Sequence, residues 1–307
     1  MSNVIPMKRD PLVDLGQLYD AGLALYYSGG MPKGASTGWS CVDEFYTVGV
    51  GQWTVVTGVP GSGKSEWLDA LLVNLAEQDP SWLFAVYSPE NFPTVGHLVK
   101  LVEKRVRKPF AKGVTPRMTA AEYQEGAAWV LSHFVWLDVD LKSPESLLDA
   151  AMQYGPERKR GVILDPWNTL EHQRGGLNET DYISLVLTKV TQLARSTNAH
   201  VWLVVHPAKM QRNKDGTRPV PSPYDISGSA HWYNKADNIV TIHRNQVDGS
   251  QTVEVHIQKI RFKHLGRPGL VTLLYDRVVG RYFEAPGEPV YDHVAGRNEL
   301  YADPERR

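Results

Sequence analysis

Cysteine is almost absent: Cys41 is the single one in 307 residues, so no disulfide can form within the chain. A disulfide-stapled scaffold is excluded, and a reducing compartment is permitted. No apolar run approaches the ~18–20 residues needed to span a bilayer. Neither sign of charge is in excess, because 33 Lys and Arg face 34 Asp and Glu, for a net charge of −1. That balance excludes a uniformly basic coat for nucleic acid. A local basic strip remains open, since net charge says nothing about distribution. Internal repeats and low-complexity tracts are also missing. The N-terminus carries Asp10, Asp14 and Asp20 and lacks an apolar segment after its basic pair. It therefore reads as neither a secretory signal nor an Arg-rich transit peptide. What remains is ordinary for a globular chain: 42% hydrophobic and 22% charged residues, at a length that buries most of its apolar surface.

Length alone suggests about two domains of ~150 residues, but the pattern along the chain favours one with an appendage. Residues 1–10 read as a leader. Residues 11–27 read as a helix, with Pro11 in its first turn and Leu12, Leu15, Leu18, Leu23 and Leu25 near helical spacing. Its apolar stripe would pack on its own domain or on a neighbouring subunit. Four glycines and a proline make 28–38 a flexible connector. The expected division is 1–38 for leader and linker helix, 39–290 for the main domain, and 291–307 for a tail.

From residue 39 onward, strands alternate with helices. Strands are predicted at 53–57, 82–87, 134–139, 161–165 and 200–205. Helices are predicted at 64–76, 94–107, 119–132, 144–154 and 179–196. This rhythm implies an α/β fold with a mostly parallel sheet covered on both faces. After Asp237 come short strands at 238–243, 252–259, 270–275 and 281–284, which read as an antiparallel extension of the same sheet.

Residues Gly58-Val-Pro-Gly61-Ser62-Gly63-Lys64-Ser65 fit the phosphate-loop pattern G-x-x-x-x-G-K-[ST]. Its glycines let backbone N–H groups turn toward phosphate oxygens, and the following helix adds its dipole. Lys64 would reach the β- and γ-phosphates, and the Ser65 hydroxyl would ligate Mg²⁺. The apolar run 161–164 ends in Asp165, the Walker B pattern, which would support the metal; alone, it is also how a strand-end Asp caps a turn. Glu90 follows a predicted strand directly, where strand ends face a ligand crevice. It would orient or deprotonate an attacking water, or it is a surface-loop glutamate. His206 ends another strand and would sense a γ-phosphate, or is satisfied by backbone.

Basic residues gather in three places. The loop 207–224 carries Lys209, Arg212, Lys214 and Arg218 against Asp215. It suits a phosphate-backbone contact or is simply solvated. Lys259 and Arg261 alternate with Ile260 and share one sheet face. Burying two cations together is costly without anionic partners, and a triphosphate on a neighbouring subunit would be one. Residues 100–117 hold seven Lys and Arg and one acid, Glu103. They read chiefly as a solvated helix face, with a nucleic-acid channel as the lesser reading.

Taken in order, Gly58–Ser65, Glu90, Asp165, His206, Ser227-Gly228-Ser229, Arg244-Asn245, Lys259-x-Arg261 and Tyr275 resemble the C-terminal helicase domain of DnaB-type replicative helicases. The branch holding phage primase-helicases and Twinkle is the most similar. The resemblance spans about residues 10–285. It implies a RecA-like P-loop ATPase that assembles as a homo-oligomer, a hexameric ring or spiral, and is pulled 5′→3′ along single-stranded DNA. ATP, or another NTP or dNTP, and Mg²⁺ would be the cofactors. By the same resemblance Arg261 is a trans arginine finger with Lys259 beside it, and Arg244 and Tyr275 hold the base. Lys209, Arg212, Lys214, Gly228 and Ser229 fall in the DNA-binding loops, and the helix 11–27 docks on the next subunit.

The family's longer members carry a zinc-binding primase region. One cysteine cannot build a cysteine-rich zinc site, so primase activity is expected to be absent, with a separate primase or polymerase as partner. No membrane partner is expected, and a bacterial or phage-infected cytoplasm is the expected location. Two rival readings remain open: a RecA-like recombination ATPase that coats DNA as a filament, and a regulatory P-loop ATPase indifferent to DNA.

Overall fold

The computed structural model describes residues 14–285 except 139, 142, 173, 209, 212–215, 227–229 and 245–250, together with the backbone of 291–292 and 297–298. The chain divides into two compact units, residues 1–33 and 34–307.

The first unit contains α1 (Leu15–Tyr27), started by Asp14, whose carboxylate accepts from the N–H groups of Gly16 and Gln17. No residue of α1 is buried. In the second unit, α2 (Ser40–Asp43) precedes β1 (Trp53–Thr57), α3 (Lys64–Gln78) and β2 (Trp82–Tyr87). Next come α4 (Thr94–Val106), α5 (Ala120–His133), β3 (Phe134–Trp136), α6 (Pro144–Ala151) and β4 (Lys159–Leu164). They are followed by α7 (Glu179–Thr197), β5 (His200–Val205), α8 (His231–Lys235) and β6 (Asn238–His243). Five more strands follow among the described residues: β7 (Thr252–Ile260), β8 (Gly269–Asp276), β9 (Arg281–Glu284), β10 (Tyr291–Asp292) and β11 (Arg297–Asn298).

Among the described residues, the eleven strands join one sheet in the order β11-β10-β8-β7-β6-β1-β5-β4-β2-β3, with β9 beside β8. The run from β6 to β3 is parallel throughout. From β6 to β7, β8 and β9 the pairing is antiparallel.

The expected α/β class, with a mostly parallel sheet and antiparallel C-terminal strands, is therefore found, with one correction. Residues 238–243 do not open the antiparallel part. They pair parallel with β1, Val56 opposite Val240, so β1 has parallel neighbours on both edges. The chain leaves β5, passes through α8 and crosses to the far side of β1. Such a crossover returns a strand in the same direction, whereas a hairpin cannot. Two smaller differences concern lengths: β3 stops at Trp136 and α6 at Ala151, short of the 134–139 and 144–154 expected.

Helices cover both faces of the parallel part of the sheet, where β1 and β5 are buried along their whole length. Along β1, Trp53 and Val55 join a core with α6, α7 and α8 that includes Leu147, Val186 and Trp232, while Val56 joins Trp67, Leu71, Trp82, Phe84 and Trp202 on the α3–α5 side. Each such large side chain contributes about 1.5–3 kcal/mol when fully buried. Helix starts follow local chemistry. Thr119 and Glu122 form a reciprocal capping box for α5, and Asn178 caps α7 through the N–H of Asp181. The stretch 28–38 is not loose along its whole length. Ala35 pairs with Val48, and the Asp43 carboxylate accepts from the N–H and hydroxyl of Thr37, both at 2.6 Å. Among the described residues no helix is long and apolar enough to cross a membrane.

Gly161 in β4 is a packing test of the site-bearing strand. A Cβ there would stand 2.4 Å from the Phe84 ring and 2.9 Å from that of Trp202, and Phe84 is itself held between Trp82 and Phe134. Gly161→Ala should destabilise the fold by about 1–3 kcal/mol through overpacking. Urea unfolding reads this as a lower midpoint at unchanged slope.

Candidate active site at the carboxyl ends of the parallel strands

The loop between β1 and α3 is shaped by glycine. Gly58 sits at φ +148°, and a Cβ there would lie 2.2 Å from the carbonyl oxygen of Ile242 in β6. Only glycine lets the loop pass that close to the neighbouring strand. Gly63 (φ +94°) makes the last turn into α3. Lys64 is buried, and its ammonium donates to the carbonyls of Gly58 (3.0 Å) and Val59 (3.3 Å). Burial pushes its pKa down, although Asp165 and Glu90 oppose the shift. Ser62 Oγ is buried with no hydrogen-bond partner.

Asp165 follows β4, its N–H donating to the Tyr87 carbonyl at 2.9 Å. Burial raises its carboxyl to about 6; a hydrogen bond from Ser65 opposes this, and the negative charges of Asp69 and Glu90 add to it. The crevice thus holds an ammonium and a carboxylate that are each pushed toward neutrality. A polyanion with a divalent cation would restore both charges. The glycine cradle, the orphaned Ser62 hydroxyl and this electrostatic deficit all fit a Mg²⁺–nucleotide.

Glu90 lies in a single 3-10 turn, Pro89–Asn91, just after β2. Its carboxylate is exposed and 4.0 Å from His206 Nε2. His206 directly follows β5, and its N–H donates to Asn168 Oδ1 at 2.9 Å. Burial, with Lys64 nearby, lowers its pKa, so the ring is neutral near pH 7. Lys64, Ser65, Glu90, Asp165 and His206 line one crevice of about 530 Å³ with Gly61 and Gly63. The sequence reading brought these residues to the same place from four different strands.

Arg244 follows β6 and acts electrostatically on Tyr275, whose hydroxyl burial raises to about 12. Tyr275 packs against Tyr282 with ring centroids 5.0 Å apart, and the Tyr282 hydroxyl donates to the Gly63 carbonyl at 3.3 Å. Tyr282 therefore links Tyr275 to the phosphate loop, a contact the sequence reading did not foresee. Its only sequence signal is an aromatic residue in the short strand 281–284.

Lys259 and Arg261 do not line this crevice. As the pattern implied, they share partners, but those partners lie within the chain. Arg261 Nε meets Asp237 Oδ1 at 2.9 Å, and Nη2 donates to the carbonyls of Asn234, Lys235 and Ala236 at 3.0–3.1 Å. Lys259 donates to the Tyr233 carbonyl and lies over the Tyr233 ring at 4.9 Å. Burial, with Arg261 adjacent, lowers its ammonium to about 8. Both cations thus cap the C-terminal end of α8, where carbonyls and dipole favour positive charge. Asp237, the buried carboxylate they need, was missed because a lone Asp before a strand carries no motif.

The solvated-face reading of 100–117 is corrected at two positions. Lys104 is 1% exposed and pairs with Glu66 at 2.6 Å. Lys100 meets Glu66 at 3.0 Å and Asn91 Oδ1 at 2.9 Å, and all three line the crevice. With His97, these lysines recur at helical spacing, a stripe that a charge count hides. Lys209, Arg212, Lys214, Gly228, Ser229 and Asn245 lie outside the described residues.

A central β1 with parallel neighbours, a glycine loop into α3 and an acidic end on β4 define a RecA-like P-loop domain. No protein-family model matches the chain. Over 275 residues it is 39% identical to the Twinkle homolog protein, chloroplastic/mitochondrial, of Arabidopsis thaliana, covering 85% of this chain. The chain spans 38% of the length of that relative. A solved, isolated ATPase domain superposes with a TM-score of 0.73 at 17% identity, over 90% of this chain and 100% of that one. A DnaB-like replicative helicase, solved with attention to its interactions with primase, gives 0.69 at 17% identity over 91% of this chain and 68% of that one. In sequence the chain is thus similar to the Twinkle homolog protein, and in fold to a DnaB-like helicase, as the motif order implied.

Asp165 yields a pH test in metal-free, nucleotide-free protein. Its folded pKa of about 6 lies above the 3.8 of an ordinary Asp, so the folded state binds more protons between those values. Stability contributed by protonated Asp165 is present below pH ~4 and lost as pH rises through ~6. Asp165→Asn should therefore be more stable than the natural chain at pH 8, by about 2–3 kcal/mol. The two should converge near pH 4, as read by urea unfolding.

Proposed function

We propose that the chain is the motor domain of an ATP-dependent replicative DNA helicase. It moves 5′→3′ along single-stranded DNA as a ring or spiral of identical copies. The observation that carries this reading is the convergence of Lys64, Ser65, Glu90, Asp165 and His206 on one crevice. Identity to the Twinkle homolog protein supports it over most of the chain.

In this reading Lys64 leaves the Gly58 and Val59 carbonyls to hold β- and γ-phosphates, with Ser62 and the loop N–H groups around them. Ser65 and Asp165 hold Mg²⁺, directly and through its water shell. The bound Mg²⁺ supplies charge neutralisation for phosphoryl transfer. Glu90 orients and deprotonates the attacking water, and the neutral His206 ring hydrogen-bonds where the γ-phosphate ends. Arg244 and Tyr275 hold the base.

Arg261 is too far engaged with Asp237 and α8 to serve its own phosphate loop. Its Nε and Nη2 are fixed there, which leaves Nη1 to reach a neighbour's nucleotide. Lys259 supports it from the same face. The basic loop 207–224 with Gly228 and Ser229 contacts the DNA backbone, α1 docks on an adjoining copy, and a primase or polymerase acts as partner. The setting proposed is a bacterial or phage-infected cell; the plant relative is chloroplastic/mitochondrial.

Unwinding of a forked duplex with a 5′ single-stranded tail tests the reading, with ATP turnover measured in the same samples. The expected result is DNA-stimulated turnover and strand separation, both lost in Lys64→Ala. Folded oligomers that hydrolyse ATP but never unwind would contradict the helicase claim. Mixing inactive Arg261→Ala copies with inactive Lys64→Ala copies should restore part of the turnover, since some junctions pair an intact loop with an intact finger. No recovery at any ratio would remove the trans role.

A further inference from the structure

We propose that Lys100 is a positioning residue that sets the distance between Glu90 and the phosphate loop. The inference rests on the ATPase reading above.

Lys100 bridges two pieces of the crevice that share no strand. Its ammonium lies 3.0 Å from Glu66 Oε1, and Glu66 follows Ser65 on α3. The same ammonium donates to Asn91 Oδ1 at 2.9 Å, and Asn91 follows Glu90 in its turn. Asn91 in turn donates to Ser88 Oγ at 2.9 Å, which closes the turn on the end of β2. The chain Glu66–Lys100–Asn91–Ser88 thus spans from the helix of Lys64 and Ser65 to the segment carrying Glu90. The Glu90 side chain is 58% exposed and its nearest ionic neighbour, His206, is 4.0 Å away. Its position is therefore inherited from the turn.

Neighbouring contacts separate this role from packing. Helices α3 and α4 are already joined by two buried rungs. Lys104 holds Glu66 Oε2 at 2.6 Å. Asp69 accepts from His97 at 3.1 Å, and His97 Nδ1 accepts from Trp136 Nε1 at 3.1 Å. Removing Lys100 leaves Glu66 neutralised by Lys104 and both buried rungs intact. Lys100 itself is 42% exposed and is the member of the stripe that lines the crevice. What its loss frees is the Asn91 turn, and with it Glu90.

The test compares Lys100→Met and Lys100→Arg with the natural chain. It reads kcat and KM for ATP, Kd for a fluorescent ATP analogue, and Tm. Lys100→Met should lose turnover by about ten- to a hundredfold, the scale of a misplaced reacting group. Its Kd and Tm should stay near those of the natural chain, and Lys100→Arg, which keeps charge and donors, should recover most of the turnover. Turnover of Lys100→Met near the natural level would overturn the proposal. So would a loss confined to Kd, or a loss that Arg does not repair. Absence of turnover in the natural chain would instead bring down the ATPase reading itself, and that sample is read first.

Discussion

Hydrogen bonding of β1 to parallel neighbours on both edges is the constraint from which the site follows. A strand so placed has no free edge and no wet face, so all five of its residues are buried and its carboxyl end opens into the crevice where polar groups gather. Parallel pairing also brings the carboxyl ends of β2, β4 and β5 to the same side. Glu90, Asp165 and His206 each follow one of these ends. A single register slip in β1 would move the phosphate loop relative to all of them. The close pass of Gly58 over Ile242 shows how little slack that register has.

The price of this arrangement is electrostatic. Lys64 and Asp165 sit where water is scarce, and burial pushes the one down and the other up in pKa. Neither ion is fully answered by the other. The domain thus keeps two strained charges that a metal-bound polyanion would relieve, which is how binding energy is kept available for the transition state. Glu66 differs: paired with Lys104 and Lys100, it is held below the ordinary carboxylate range despite its burial.

Much of the fold was legible because β-rich runs were bounded by turns. The strands at 53–57, 82–87, 200–205, 238–243 and 281–284 have the observed limits. The direction of β6 was not legible, because parallel and antiparallel strands share a local pattern and only the path of the connection differs. The catalytic candidates were readable as residues that directly follow strands. Lys100 and Lys104 were not, since a lysine count cannot distinguish a solvated face from one facing Glu66. Tyr282 and Asp237 act through tertiary contacts, with Gly63 and Arg261 respectively, and leave no trace in spacing. Arg261 was read for a partner outside the chain, while its geometry shows first a partner inside it.

The contacts of Arg261 within the chain bear on the proposed cooperation between copies. Tied to Asp237 and the end of α8, the guanidinium reports the position of α8. The central claim is that the active site is completed by an adjoining copy of the same chain. Electron microscopy of the oligomer with Mg²⁺, a non-hydrolysable ATP analogue and single-stranded DNA tests it most directly. The account predicts a ring or spiral with DNA at its centre and Arg261 of each copy against the γ-phosphate held by the next copy's Lys64. A DNA-coated filament, or copies whose Arg261 stays away from every nucleotide, would contradict it.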